Sequence, residues 1–174
     1  MKEREDFLLY YQGMLALSTG ETYSLRYEKE VPHFFASFFM NGLLFICGGQ
    51  NFQKTGYSAL KDLLAADSAG KCTTLAPMSQ QRSGPSLAGL PAGLVALGGA
   101  NVELLQVCEL YLGSVNKWEP LPPLKTARWR AGGCLLPSLR VFCFCGVSGE
   151  EDFLSSIERV DLKREAEWST LPLH

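Results

Sequence analysis

The sequence predicts an all-β fold assembled from a repeated unit of four short antiparallel strands. Three observations carry that prediction. Apolar runs closed by glycine recur at a nearly constant step: residues 43–47 before Gly48-Gly49, 94–97 before Gly98-Gly99, and 141–144 before Cys145-Gly146. A second landmark keeps the same step, with Cys72 ahead of Leu75-Ala76-Pro77-Met78, Trp118 ahead of Leu121-Pro122-Pro123-Leu124, and Trp168 ahead of Leu171-Pro172-Leu173. The third is Arg82 and Arg128, each four residues beyond Met78 or Leu124. A period near 50 residues marks stacked supersecondary units.

Each unit divides into strands where the turn residues fall. In the first, residues 34–40 and 43–47 flank Asn41-Gly42, a strong hairpin signal, and residues 59–66 and 72–76 flank a polar turn at 67–71. The second unit reads as strands at 86–90, 94–97, 104–112 and 117–121, with turns at Pro91-Ala92-Gly93 and 113–116. The third reads as 131–136, 141–144, 155–162 and 167–171. Ahead of them, residues 17–23 align with 112–118, so residues 1–33 are expected to hold the last two strands of a preceding unit; 7–11 resembles a worn second strand, against which stands a link to the next strand too short for the standard unit. The expected divisions are thus 1–33, 34–78, 79–124 and 125–174.

The runs 43–47 and 94–97 are apolar at every position, so both faces of those strands must be covered. Sheets stacked radially about an axis meet that demand, which makes a β-propeller the predicted architecture. Three units and a part make an incomplete ring, and the expectation is that further chain or a second copy, as a homodimer, closes it, because an open arc leaves apolar sheet faces bare.

Composition narrows the function. The chain has 174 residues, 47% of them hydrophobic and 20% charged, enough for one packed domain or part of a larger one. Sixteen Lys and Arg against 18 Asp and Glu give a net charge of -2 with no basic stripe, which argues against nucleic acid. His33 and His174 are the only histidines, leaving little material for a His-based metal site or a Ser-His-Asp triad. No catalytic group, metal or cofactor is therefore expected, and the chain is read as a non-enzyme. Glu150-Glu151-Asp152 lacks the ligand spacing of a calcium loop and reads as a solvated tip. Residues 1–6 carry three acids and two bases instead of a positive leader, and the apolar stretch 34–47 is broken at Asn41-Gly42. No membrane segment and a cytoplasmic setting follow as expectations. The six cysteines sit mostly within apolar runs and read as reduced core residues, with Cys143 and Cys145 on one face of a strand.

The four-strand unit, the diglycine closing the second strand, the aromatic before the fourth, and the Leu-Pro motif with its downstream arginine together resemble the Kelch repeat family. The resemblance runs from about Phe34 to the end of the sequence. It departs from the family pattern where Cys145 replaces the first glycine, where Cys72 replaces the aromatic, and where Tyr57 and Tyr111 have no counterpart near 157–161. The resemblance implies that loops between the second and third strands, and between the fourth strand and the next unit, form one face that binds a protein partner. Here those loops are 50–58, 100–103 and 147–152, with 79–84 and 125–130. The expected partner-binding residues are Arg82, Arg128, Arg130, Trp129, Gln50, Asn51 and Asn101. Guanidinium groups on such a face suit an acidic peptide segment through bidentate hydrogen bonds. The alternative for Arg82 and Arg128 is that they brace the junction between units. The resemblance further implies an adaptor in a cullin ubiquitin ligase or a cytoskeletal scaffold. The rival readings are a structural subunit of a larger assembly and an enzyme, although two remote histidines argue against a copper oxidase.

Overall fold

The computed structural model describes residues 7–10, 13–16, 22–24, 32–53, 56–149, 152–164 and 167–171. Among them every regular element is a strand. Strands β1 (Phe7–Tyr10), β2 (Gly13–Ala16) and β3 (Thr22–Ser24) form a three-stranded antiparallel sheet. Strands β4 (Ala36–Met40) and β5 (Leu43–Cys47) pair across Asn41-Gly42. A separate hairpin follows, β6 (Gln50–Gln53) with β7 (Gly56–Ala59), before β8 (Leu63–Ala66) and β9 (Cys72–Leu75) complete a sheet ordered β4-β5-β8-β9. The next two sheets run in sequence order: β10 (Ser86–Leu90), β11 (Gly93–Leu97), β12 (Cys108–Leu112) and β13 (Lys117–Leu121), then β14 (Gly132–Leu136), β15 (Arg140–Phe144), β16 (Ile157–Asp161) and β17 (Ser169–Leu171). Because β10 touches both β4 and β14, the first strands lie side by side and the sheets fan outward as propeller blades in an open arc.

Three strand expectations are corrected. The third strand of every full blade starts later than its apolar run predicts, at Leu63, Cys108 and Ile157. The preceding residues turn aside to satisfy the glycine corner: Gly48 N–H donates to Asp62 O, Gly98 N–H to Val107 O, and Cys145 N–H to Ser156 O. Residues 56–59, expected partly as that third strand and partly as loop, instead pair with β6. The worn strand at 7–11 is a real β1, joined to β2 in a register of Tyr10 to Gly13 that needs only a two-residue link.

Packing between blades explains the continuous apolar runs. Phe45, Cys47, Leu63 and Ala65 of the first full blade meet Leu94, Ala96, Tyr111 and Trp118 of the second. The opposite face of that second blade, with Val95, Leu97 and Cys108, meets Val141, Cys143, Val160 and Trp168 of the third. All five residues of β11 are accordingly buried. These two tryptophans are each tied back to the blade before, Trp118 Nε1 donating to Ala76 O and Trp168 Nε1 to Pro122 O, both at 2.8 Å. An indole at this place thus acts as an apolar plate with its one polar atom satisfied. The far flank of the third blade is open, with Leu136 and Phe144 exposed.

The glycine corners allow backbone to meet backbone. Gly48 has φ +63°, and a Cβ there would stand 2.5 Å from the Arg82 carbonyl. Cys145, which holds the equivalent place in the third blade, keeps the left-handed angle at φ 58° and carries the strain, about 1–2 kcal/mol for a non-glycine residue.

Across these corners the blades are pinned by two buried ion pairs. Arg82 lies on the segment between the first and second blades, where its N–H donates to Leu60 O and its carbonyl accepts from Gly49 N–H. Its side chain crosses to the second blade, donating to Gly98 O (3.0 Å), Val107 O (2.8 Å) and the Glu109 carboxylate. Glu109 in turn accepts the Ser79 N–H at 2.9 Å, back on the linking segment. Arg128 repeats the arrangement one blade on, with Cys145 O, Ser156 O and Glu158 at 2.7 Å, while Glu158 accepts the N–H groups of Lys125 and Thr126. Both arginines are wholly buried. The first full blade has neither partner: Pro32 stands at the arginine position and Leu64, buried among Leu44, Ile46 and Ala66, at the glutamate position.

Charges this deep have lost most of their hydration, so removing one partner strands the other. Arg82→Ala is expected to cost about 3–5 kcal/mol, whereas the double replacement Arg82→Met with Glu109→Leu, which like the first blade puts uncharged residues at both positions, is expected to be far milder. Urea denaturation of the two variants checks this.

All six cysteines are unpaired; Cys47, Cys108 and Cys143 are buried and Cys145 is exposed. Cys143 and Cys145 therefore do not share a face, since β15 ends at Phe144 and the left-handed corner redirects the next side chain. Desolvation pushes the Cys47, Cys108 and Cys143 thiols up to about 12. Unfolded thiols ionise near about 8.5, so the stability these three contribute is complete below that pH and is lost as pH rises toward 12. Thiol labelling of the native chain at pH 8 should modify Cys145 first and these three only on unfolding, and the urea midpoint should fall steeply above pH 9.

Candidate functional site

Blade topology carries the connections from second to third strand, and from fourth strand to the next blade, to the same end of the sheets. The hairpin β6–β7 stands there with Phe52 opposite Tyr57, both well exposed. Phe52 meets His33 edge-on at 4.9 Å. Phe34, Val102 and Phe153 complete a group of five large apolar side chains exposed at this end, the last two at 95% and 84%. So many uncovered aromatic and aliphatic groups on one face are unusual for a surface with no partner.

Next to them lies a hydrogen-bonded path from blade to blade. Gly84 N–H donates to Phe34 O at 2.7 Å, and Arg130 N–H donates to Gly84 O at 3.0 Å. These three residues each stand two before the first strand of their blade, and all have left-handed backbones, with φ of 52°, 55° and 55°. Glycine bears that angle freely at position 84; Phe34 and Arg130 bear it at a cost, which the inter-blade hydrogen bonds help to offset. The Arg130 guanidinium lies 4.1 Å from the centre of the Phe34 ring and 3.9 Å from that of Trp129. Such cation–π stacking fixes a long side chain that would otherwise be mobile. Trp129 leans over Gly84, where any Cβ would collide with its Nε1, and that buried Nε1 has no acceptor.

Between hairpin and second blade lies a hollow of about 320 Å³, walled by Tyr57, Val102 and Trp129 and edged by Gln50, Asn101 and Glu103. Gln50 is buried and accepts a hydrogen bond from Ser83 Oγ at 2.8 Å.

The structure thus brings Gln50, Asn101 and Trp129 to one hollow, with Arg130 beside it and Asn51 half-buried on the hairpin. It does not bring Arg82 and Arg128 there. Both are sealed between blades with their Nη atoms committed to carbonyls and carboxylates, so the expectation that they contact a partner is replaced by the bracing role. Phe34, Phe52, Tyr57, Val102 and Phe153 were missed as site residues, although large apolar residues inside loop segments were a readable signal. Glu150 and Glu151 lie outside the described residues. Among the described residues no group of three or more His, Cys, Asp or Glu gathers as metal ligands, and no helix is long and apolar enough to cross a membrane.

No family model matches the chain. Kelch-like protein 33 of Homo sapiens is 31% identical over 123 residues, which is 70% of this chain and 23% of that protein. The chain therefore spans about a quarter of the length of this curated relative. The solved structure of YjhT matches with a TM-score of 0.76 at 11% identity, over 92% of this chain and 58% of that one. At that identity the likeness concerns the fold alone. With the repeat landmarks, the four-stranded blades and these likenesses in hand, the chain is identified as a run of Kelch repeats folded as an open arc of a β-propeller.

Proposed function

We propose that this chain is a non-enzymatic protein-interaction module whose loop face receives a segment of a partner protein. The observation that carries the reading is the crowding of Phe34, Phe52, Tyr57, Val102 and Phe153 on one end of the blades around a hollow of about 320 Å³. Interfaces draw their affinity from a few aromatic and aliphatic anchors seated in such hollows. An arc of tightly packed sheets suits this task, since loops held by a stiff scaffold lose little freedom on binding. The adaptor and scaffold roles implied by the resemblance both need such a face, and the name of the human relative supports a Kelch-like setting. Six unpaired thiols suit a reducing, cytoplasmic environment, which we include in the reading. An acidic partner segment loses much of its basis, because two of the three arginines expected to greet it are buried.

The test compares the two ends of the blades. Tyr57→Ala combined with Val102→Asp should lower retention of interacting proteins by about tenfold or more, the usual effect of losing a central anchor, with an unchanged melting temperature. Val115→Asp, on the exposed turn between β12 and β13 at the opposite end, should leave retention intact. Equal loss from both variants, or from neither, would remove the loop face from the account.

A further inference from the structure

The hollow on the loop face has a chemistry of its own, and the assignment made from it rests on the chain being an interaction module. Its walls are apolar: Tyr57, Val102 and Trp129 offer a slot for one bulky side chain. Its edge is amide. Gln50 Oε1 is engaged by Ser83, but its Nε2 has no partner among the described residues, and neither does the side chain of Asn101. A free amide N–H at Gln50 and a free carboxamide at Asn101 beside an apolar slot are matched to a peptide backbone, which presents a carbonyl and an N–H at each residue.

The charge at the rim is the opposite of the one the arginine pattern of the sequence leads one to expect. Glu103 lines the hollow, and the Asp152 carboxylate lies against Gly149, another lining residue. Neither carboxylate has an ion-pair partner among the described residues. Among the described residues the one guanidinium tied to a wall of the hollow is that of Arg130, whose planar faces are covered by Phe34 and by the lining Trp129. Arg82 and Arg128, which would have made the face cationic, are neutralised inside the blade junctions by Glu109 and Glu158.

We infer that the hollow takes an extended protein segment that inserts one bulky apolar side chain between Tyr57, Val102 and Trp129, is read along its backbone by Gln50 and Asn101, and carries basic residues beside that anchor to meet Glu103 and Asp152. The acids lie at the rim and remain hydrated, so they set preference and salt dependence more than total affinity.

Two pools of synthetic nonapeptides test this on the full chain by fluorescence anisotropy. Both hold Leu or Phe at the centre; four flanking positions are Lys in one pool and Glu in the other. The lysine pool should bind about fivefold tighter at low salt, the scale of two exposed ion pairs, and the preference should fade at high salt. Glu103→Lys with Asp152→Lys, both exposed positions, should reverse the preference, and Tyr57→Ala should weaken both pools. Tighter or equal binding of the glutamate pool, or an unchanged preference in the charge variant, overturns the inference. If that glutamate binding is still weakened by Tyr57→Ala, the face remains an interaction site and only the assigned chemistry falls. Binding of neither pool would count against both.

Discussion

The arginine–glutamate brace at each of the two junctions between full blades is the constraint on which the remaining structure depends. Arg82 is anchored by its backbone to one blade and by its side chain to the next, and Glu109 closes the circuit by holding the linking segment through Ser79. A charge pair buried this completely gives little net energy, because desolvation consumes most of the attraction. Its value is positional: guanidinium geometry satisfies two carbonyls and a carboxylate only when both blades stand in one relation. The first full blade supports treating the pair as a unit, since Pro32 and Leu64 replace both members together and no uncompensated charge remains.

That positioning carries through to the face. One residue after each brace come Ser83, which is buried and holds Gln50, and Trp129, which walls the hollow. Two residues after it, Gly84 and Arg130 take up left-handed angles and pass a hydrogen bond from blade to blade. The same landmark that the repeat shows in sequence therefore acts one layer below the surface, and the residues that follow it hold and wall the hollow, with Arg130 reaching solvent.

Much of the fold could be read from the sequence because its periodic features have single physical causes. An apolar run without alternation needs two covering faces, and the recurring tryptophan needs a carbonyl in the blade before it. Strand starts were less legible, since residues such as 60–62 are as apolar or polar as their neighbours but are drawn off by hydrogen bonds to the glycine corner. The site was legible in place but not in chemistry. Loop positions for Gln50, Asn101, Trp129 and Arg130 followed from the repeat, whereas the burial of Arg82 and Arg128 turned on acids 27 and 30 residues away, at Glu109 and Glu158. Those acids sit inside the strands β12 and β16, and only the assembled junction brings them to the arginines. Phe52 and Tyr57 become neighbours through a hairpin that the loop reading did not include.

Arginine side-chain NMR gives the most direct test of this architecture. With the brace as described, the guanidinium N–H signals of Arg82 and Arg128 should be resolved, dispersed and slow to exchange with solvent at neutral pH, while those of Arg130 exchange more rapidly. Three arginines exchanging alike and fast would place Arg82 and Arg128 in water and contradict the account.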